Sequence, residues 1–385
     1  MNILRHFLIA LGICAIFFVG LMIRHWDTTA MIFSNMTALS EGSTEARSLQ
    51  LPGDVLDYLD RHRDTVSLVA VDLAEGRAVP ALSLGGDTPR PVAGLTKVWV
   101  LAAYAQQVEA GRLDPEERVP LSALTPYHLP GTNDGSHARV TDRHAEAATL
   151  SLAQVVEAMM DDHYQAATDY LIRRLGGPAL AHLPGELGWT QTTGPLPNSG
   201  LFLSWLPTAQ PGDAPATPSA DPDAVFALVR ALEEDPDFQQ AAVDRLAAEG
   251  SGLTIREQRD LAQATYPGGT ATAYAQFMAQ TLLDAERPAA RRVRQHLDRP
   301  VPLDSTGTVG AFGVQGGGFP GLISFVGYVE GAEPGTGRVV ALLMEEVPLA
   351  VFYHLVQTGL DKGLMLQLLL DDAFFAETQA RFGGA

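Results

Sequence analysis

Hydrophobic periodicity changes twice in the first part of the folded body. Apolar residues recur at helical spacing over residues 51–64, LPGDVLDYLDRHRD, which predicts an amphipathic helix. Residues 65–73, TVSLVAVDL, form a β-branched apolar run, and Glu75-Gly76 supplies a turn into a second strand. The apolar stretch from Leu95 to Ala110 then predicts a buried helix that ends at a glycine.

The middle of the chain has helical patterns only. Two helices are predicted between Leu150 and Leu175, one from Ala224 to Ala248, and more helix from Ala271 to His296. Residues 195–222 are rich in Pro, Gly, Ala, Asp and Thr, which predicts a long surface loop. This part of the chain is therefore expected to be an all-helical lobe.

Near the C-terminus, strand patterns return. The segments AFGVQGG, GLISFVGYVE and RVVALLMEE predict three strands at hairpin spacing, followed by a long apolar helix from about Val351 to Leu370. Strands at both ends of a helical middle predict an α+β fold with an inserted helical lobe. We place the α/β lobe at about residues 53–110 and 270–385, and the helical lobe at about 111–269.

The N-terminus carries a membrane signal. The segment from Phe7 to Ile23 has no charged residue, and at about 1.5 Å per residue it is just long enough to cross a bilayer. It predicts a transmembrane anchor over residues 1–26, followed by a tether over 27–52 and a domain over 53–385 on the extracytoplasmic side, periplasmic or at the cell surface. A cleaved secretory signal is the alternative, although residues 28–30 make a poor cleavage site.

Charge and cysteine content exclude several classes of function. A formal net charge of −19 over 385 residues disfavours a nucleic-acid binder, which needs a basic surface. The single cysteine, Cys14, excludes an intrachain disulfide and a cysteine-based metal site. We predict no metal and no cofactor. Only two lysines occur, Lys97 and Lys362, so each of them merits attention.

The order of elements and one stretch of sequence suggest a family. Residues 91–121, PVAGLTKVWVLAAYAQQVEAGRLDPEERVPL, resemble the serine β-lactamase and penicillin-binding DD-peptidase superfamily. That resemblance implies an antiparallel sheet flanked by helices and a Ser-x-x-Lys motif at the start of a buried helix. Lys97 matches the motif lysine, but Gly94 stands where the nucleophilic serine is expected.

The other two motifs of the superfamily are altered as well. His163, Tyr164 and Gln165 align with its Ser-Asp-Asn motif, and Gln165 retains an amide that can donate a hydrogen bond. Gln315-Gly316-Gly317 aligns with its Lys-Thr-Gly motif on the edge strand, and the lysine is missing. The segment Ser305-Thr306-Gly307-Thr308 is the competing candidate, at a poorer spacing.

A glycine has no group that can form an acyl-enzyme. The leading hypothesis is a membrane-anchored pseudoenzyme, a binding or scaffolding module whose ligand resembles peptidoglycan or whose partner is a protein. The alternative is a serine hydrolase of the class A β-lactamase type with a rearranged site, using Ser305 or a water activated by His163. A structural subunit that docks through its apolar C-terminal helix is a third possibility.

Overall fold

The structure is a computed structural model. It describes residues 34–132, 135–186, 188–189, 191–206, 218–301, 309–333 and 335–383. No helix within those ranges is long and apolar enough to cross a membrane. The expected span at residues 7–23 lies outside them.

Helices occupy most of the described chain. They are α1 (Ser43–Ser48), α2 (Pro52–Arg61), α3 (Lys97–Glu109), α4 (Ser136–Arg143), α5 (Leu152–Met160), α6 (Gln165–Arg174), α7 (Pro178–Glu186), α8 (Asn198–Ser204), α9 (Pro222–Glu234), α10 (Pro236–Glu249), α11 (Ile255–Thr265), α12 (Ala271–Leu283), α13 (Pro288–Leu297), α14 (Leu349–Thr358), α15 (Leu360–Leu370) and α16 (Asp372–Phe382). Short 3₁₀ turns lie at Gly94–Thr96, Leu121–Ala123 and Thr125–Tyr127.

Six of the strands form one antiparallel sheet. The strands are β1 (Val66–Ala74), β2 (Arg77–Leu84), β3 (Arg90–Pro91), β4 (Arg118–Pro120), β5 (Thr149–Ser151), β6 (Gly268–Gly269), β7 (Asp298–Arg299), β8 (Val309–Phe319), β9 (Leu322–Gly331) and β10 (Gly337–Met344). The order in the main sheet is β2-β1-β10-β9-β8-β7. Strands from both ends of the chain therefore share one sheet, which confirms the predicted α+β arrangement.

The alternation of side chains gives the sheet a separate core on each face. Val69 and Val71 of β1 and Val339 of β10 pack in one core with α3, α5 and α12. Leu68 of β1 and Val340 of β10 point the other way and pack with α2, α14, α15 and α16. Because successive strand residues point to opposite faces, this sheet is buried on both sides.

Two predicted helices are each broken in the structure. The helix expected over 224–248 is interrupted at Asp235, whose side chain accepts the Phe238 backbone N–H at 3.0 Å and begins α10. The apolar helix expected over 351–370 is interrupted at Gly359, which has a left-handed φ of 69°. Both breaks use ordinary helix-ending chemistry, a capping aspartate followed by proline and a glycine in the left-handed region.

Two segments expected to be irregular differ from the prediction. Within 195–222, Asn198–Ser204 forms α8, and residues 207–217 lie outside the described residues. Residues 34–40 and α1 are helical where a tether was expected. The Asn35 side chain accepts the Ile255 backbone N–H at 2.9 Å, and Glu41 pairs with Arg259, also at 2.9 Å. The chain from residue 34 onward is therefore packed on the folded body.

Candidate functional site

A cavity of about 950 Å³ lies beside the edge strand β8. It is lined by seven of the eight residues that the motifs single out: Gly94, Lys97, His163, Gln165, Gln315, Gly316 and Gly317. These residues come from the start of α3, the turn before α6, and β8. The fold thus brings the three altered motifs to one place, and their role in binding stays a prediction.

At the nucleophile position, two backbones touch. A Cβ atom built on Gly317 would lie 2.6 Å from both the Cα and the nitrogen of Gly94. A Cβ atom on Gly94 would lie 3.4 Å from the Gly317 Cα and 3.5 Å from the Gly316 carbonyl oxygen. In the direction in which a serine side chain would leave residue 94, β8 is therefore in van der Waals contact.

Lys97 lies close to His163. Lys97 is the first residue of α3 and only 7% exposed, and its Nζ lies 3.5 Å from His163 Nδ1. His163 has a φ of 55°, an uncommon conformation for a residue other than glycine. The turn that holds it is fixed by Arg143, which forms two bonds of 2.7 Å to the Asp162 carboxylate.

Tyr164 does not line the cavity. It is buried, and its hydroxyl lies 2.7 Å from Nδ1 of His137, whose ring stacks on His128 at 3.6 Å between ring centroids. Burial raises the pKa of Tyr164. Tyr164 therefore packs in the interior beneath the turn, whereas the neighbouring Gln165 lines the cavity.

Gln315 stands where the family lysine is expected. Its side chain is buried, and its Nε2 donates to the carbonyl of its own neighbour, Gly316, at 3.2 Å. A neutral amide turned onto its own strand supplies no cation for a carboxylate. Arg299, a cation at the rim of the cavity, is paired with Asp161 at 3.2 Å.

A buried carboxylate that the motifs did not single out holds the cavity wall. Asp169 in α6 accepts the backbone N–H of Asn198 at 2.8 Å and that of Ser199 at 2.7 Å. Burial raises its pKa to about 6, although these hydrogen bonds lower it. Asn198 lines the cavity, so Asp169 positions that residue. An aspartate among the apolar residues of a helix was the available sequence signal.

An aromatic wall closes one end of the cavity. The rings of Tyr266 and Phe319 lie 5.3 Å apart between centroids, and Trp205 stacks on Tyr266 at 5.9 Å. Tyr266 and Phe319 line the cavity, but they stand outside all three motifs. Sequence reasoning missed this wall because only the tertiary fold brings α11 beside the end of β8.

Two further predictions concern the segment at Ser305 and metal binding. Ser305 and the segment Thr306-Gly307-Thr308 lie outside the described residues. Within the described ranges, no group of three or more His, Cys, Asp or Glu side chains is placed to hold a metal ion.

Several solved structures are similar to this chain. A β-lactamase from Sphaerobacter thermophilus is 17% identical with a TM-score of 0.49, covering 81% of this chain and 95% of that one. A β-lactamase from Burkholderia vietnamiensis is 14% identical with a TM-score of 0.47, covering 83% and 96%. PBP-A, in an acyl-enzyme complex with penicillin G, is 16% identical with a TM-score of 0.41, covering 81% and 96%.

The sequence comparisons give one match. No curated protein matches the chain. Residues 52–248, just over half of the 385 residues, match the model of the Beta-lactamase enzyme family. By that match, the chain belongs to the Beta-lactamase enzyme family.

Proposed function

We propose that this chain is a non-acylating member of its family that binds a ligand in the cavity beside β8. The supporting observation is the glycine at residue 94, which provides no nucleophile and has the β8 backbone 3.4 Å from where its Cβ atom would lie. Family membership by itself does not establish an activity.

The composition of the cavity indicates what kind of ligand fits it. Gln315 replaces the cation that would bind a carboxylate, and Arg299 is engaged by Asp161. The aromatic pair Tyr266 and Phe319 offers an apolar wall. We expect a ligand without a required carboxylate, such as a segment of a peptidoglycan-like polymer or of a partner protein. The chain would act as a binding or scaffolding module near the cell wall.

Anchoring through residues 7–23 is part of this proposal. Their uncharged, apolar sequence supports a single N-terminal span with the domain outside the cytoplasm. Cell fractionation and N-terminal sequencing of the mature protein test it. Recovery of a soluble form that begins near residue 31 would contradict the anchor and leave the binding proposal unaffected.

Reaction with a penicillin is the decisive test of the proposal that the chain does not form an acyl-enzyme. The full-length chain is incubated with benzylpenicillin and analysed by intact mass, with the PBP-A mutant that forms an acyl-enzyme complex with penicillin G as the positive control. We expect no covalent adduct. An adduct on any serine of the unmodified chain would overturn the proposal.

Revertants extend this test. Gly94→Ser alone is expected to stay unlabelled, because the relay at His163 and the cation at residue 315 remain absent. The triple variant Gly94→Ser, His163→Ser and Gln315→Lys is expected to regain weak acylation, since catalytic groups act as a unit. Labelling of the single variant would instead indicate that His163 and Gln315 are functional substitutes.

One contact favours the alternative of a rearranged hydrolase. Lys97 Nζ lies 3.5 Å from His163 Nδ1 at the cavity wall, and a histidine beside a cation can act on a bound water. Steady hydrolysis of a penicillin or an ester without a covalent intermediate, lost in His163→Ala, would support this alternative over the inactive binding module.

A further inference from the structure

Strand β8 separates two chambers of the cavity. Gln315 and Gly317 face α3, on the same side as Val326, whereas Val314 and Gly316 face the opposite side with Phe325. Strand β7 pairs only with Phe312 and Gly313. The outer edge of β8 beyond residue 313 has no strand partner among the described residues, so the cavity continues around it.

The second chamber is an apolar groove between β8 and the helices α14 and α15. Its walls are formed by Phe312, Val314, Ile323, Phe325, Phe352, Val356, Met365, Leu366 and Leu369. Most of these side chains are buried, and Val356 at 48% exposure stands at the opening. We call this chamber the outer groove. Most of its wall residues belong to the core behind the sheet.

Among the described residues that line the outer groove, the charged side chains are Asp361 and Lys362 of α15. Asp361, Met365 and Leu369 are spaced four residues apart and all line the cavity, as do Lys362 and Leu366. Asp361 is 3% exposed, and its Oδ1 has no hydrogen-bond partner among the described residues. Burial raises the pKa of this carboxyl. A buried oxygen without a partner is costly unless another molecule satisfies it.

We propose that the outer groove binds a linear aliphatic molecule whose neutral hydroxyl or amide head donates a hydrogen bond to Asp361 Oδ1. Walls made of aliphatic and aromatic side chains favour an apolar chain over a polar one. The head must be a donor because the unpaired atom is a carboxylate oxygen. This inference does not rest on the proposed function, since the groove lies on the opposite face of β8 from Gly94.

Other occupants fit the groove less well. A protein helix is about 10 Å across, whereas the groove exposes one large apolar side chain, Val356, rather than a broad face. A fatty acid would bring a carboxylate beside Asp361, which like-charge repulsion opposes, whereas the Lys362 cation in the same lining attracts it, so the head-group competition below decides between them. The apolar segment at residues 7–23 has only the weak donor of the Cys14 thiol to offer the Asp361 oxygen.

Photolabelling of the full-length chain tests the site. A diazirine derivative of 1-octanol is crosslinked, and labelled peptides are mapped by mass spectrometry. We expect labelling on the peptides that carry Val356 and Leu366, reduced by excess 1-octanol. Labelling confined to residues 7–23, or to peptides carrying Lys97 and His163, would overturn the proposal.

A groove-filling variant and a matched control sharpen this result. Leu366→Trp places an indole in the groove and is expected to lower labelling there roughly tenfold. Val79→Trp, on an exposed position of β2 outside the cavity, is expected to leave the labelling unchanged. Equal labelling of the Leu366→Trp variant and the unmodified chain would contradict an outer-groove site.

Competition by head group tests the role of Asp361. In the unmodified chain, 1-octanol and octanamide are expected to compete roughly tenfold better than octanoate. Asp361→Asn replaces the carboxylate by an amide that can donate a hydrogen bond. We therefore expect octanoate to compete more nearly as well as 1-octanol in this variant. Equal competition by octanoate in the unmodified chain would overturn the assigned head group, and this comparison needs no variant to fold.

Discussion

The two faces of β8 differ in how they meet the rest of the molecule. On the inner face, the backbone of Gly317 packs directly on Gly94, and polar side chains surround the contact. On the outer face, Gly316 is covered by the Phe325 ring, which borders an open apolar groove. The inner face of β8 thus packs against backbone atoms, whereas its outer face packs against aromatic and aliphatic side chains.

That difference shows which face of β8 is closely packed and which face borders open space. On the inner face, a Cβ atom at residue 94 would lie 3.4 Å from the Gly317 Cα, an ordinary contact, so the β8 backbone lies directly beside that position. The groove side keeps volume and one unsatisfied carboxylate oxygen. Substitutions at Gly316 and Gly317, which face opposite sides of β8, can therefore test the packing of each face independently.

The largest effect is expected for Gly317→Ala. Its added methyl would lie 2.6 Å from backbone atoms of Gly94, which cannot move without shifting the start of α3. We expect the free energy of unfolding to fall by about 3 kcal/mol, the upper part of the range for overpacking. Denaturant titration measures it. A smaller loss of unfolding free energy than in Gly316→Ala would contradict the claim that the inner face of β8 is the more tightly packed one.

The second prediction concerns the buried carboxylate that supports the inner face. Burial raises the pKa of Asp169 from 3.8 to about 6, so this carboxyl binds its proton more tightly in the folded state than in the unfolded state. Its contribution to stability is full below about pH 4 and is lost as the pH rises through about 6. Relative to Asp169→Asn, the unmodified chain should lose roughly 2 kcal/mol between pH 4 and pH 7.

A histidine supplies the control of opposite sign. Burial and the neighbouring His137 lower the pKa of His128 to about 4. Its contribution is therefore present above its unfolded pKa and lost as the pH falls toward 4. Denaturation of His128→Gln and Asp169→Asn from pH 4 to pH 7 should give difference slopes of opposite sign. Slopes of the same sign would contradict both assignments.

The third prediction addresses the outer face. In Gly316→Ala the added methyl would overlap the Phe325 ring, which can turn into the open groove. We expect a loss of about 1 kcal/mol, the low end for overpacking. Octanol labelling of the groove should fall at the same time, because the displaced ring occupies part of it. Unchanged labelling would show that the ring does not move into the groove.

The smallest effect is expected for Gly94→Ala. Its methyl would meet Gly317 at 3.4 Å, an ordinary contact, at a position in a 3₁₀ turn. Alanine also costs less backbone entropy than glycine, so stability should change by less than about 1 kcal/mol. Thermal unfolding beside Gly317→Ala gives the matched comparison. A severe loss would show that residue 94 itself requires glycine.

The sequence predicts the strands and the motif positions well because both depend on local pattern. The resemblance of three short segments to the superfamily motifs led us to expect Lys97, His163 and Gln315 in one groove, and these three residues line one cavity. Helix ends were less predictable: one helix was expected over 351–370, although Gly359 was an available signal for the break between α14 and α15.

Features that depend on distant contacts escaped prediction. Composition predicted a loop at residues 195–222, yet α8 begins at Asn198, where Asp169 from another helix accepts its first N–H groups. The outer groove depends on how α15 approaches β8, which no short stretch encodes. Tyr266 and Phe319 meet for the same reason. These residues are typical core types, so their sequence gave no sign of a cavity.

The pairing of β1 with β10 has a consequence for the order of folding. Val66 pairs with Met344 and Leu73 with Gly337, so the centre of the sheet joins segments separated by most of the chain. Such non-local contacts form slowly because a long loop must close first. During synthesis, the pairing of β1 with β10 cannot form until residues 337–344 have been made. A chain delivered across a membrane would complete its sheet only after nearly all of it has arrived.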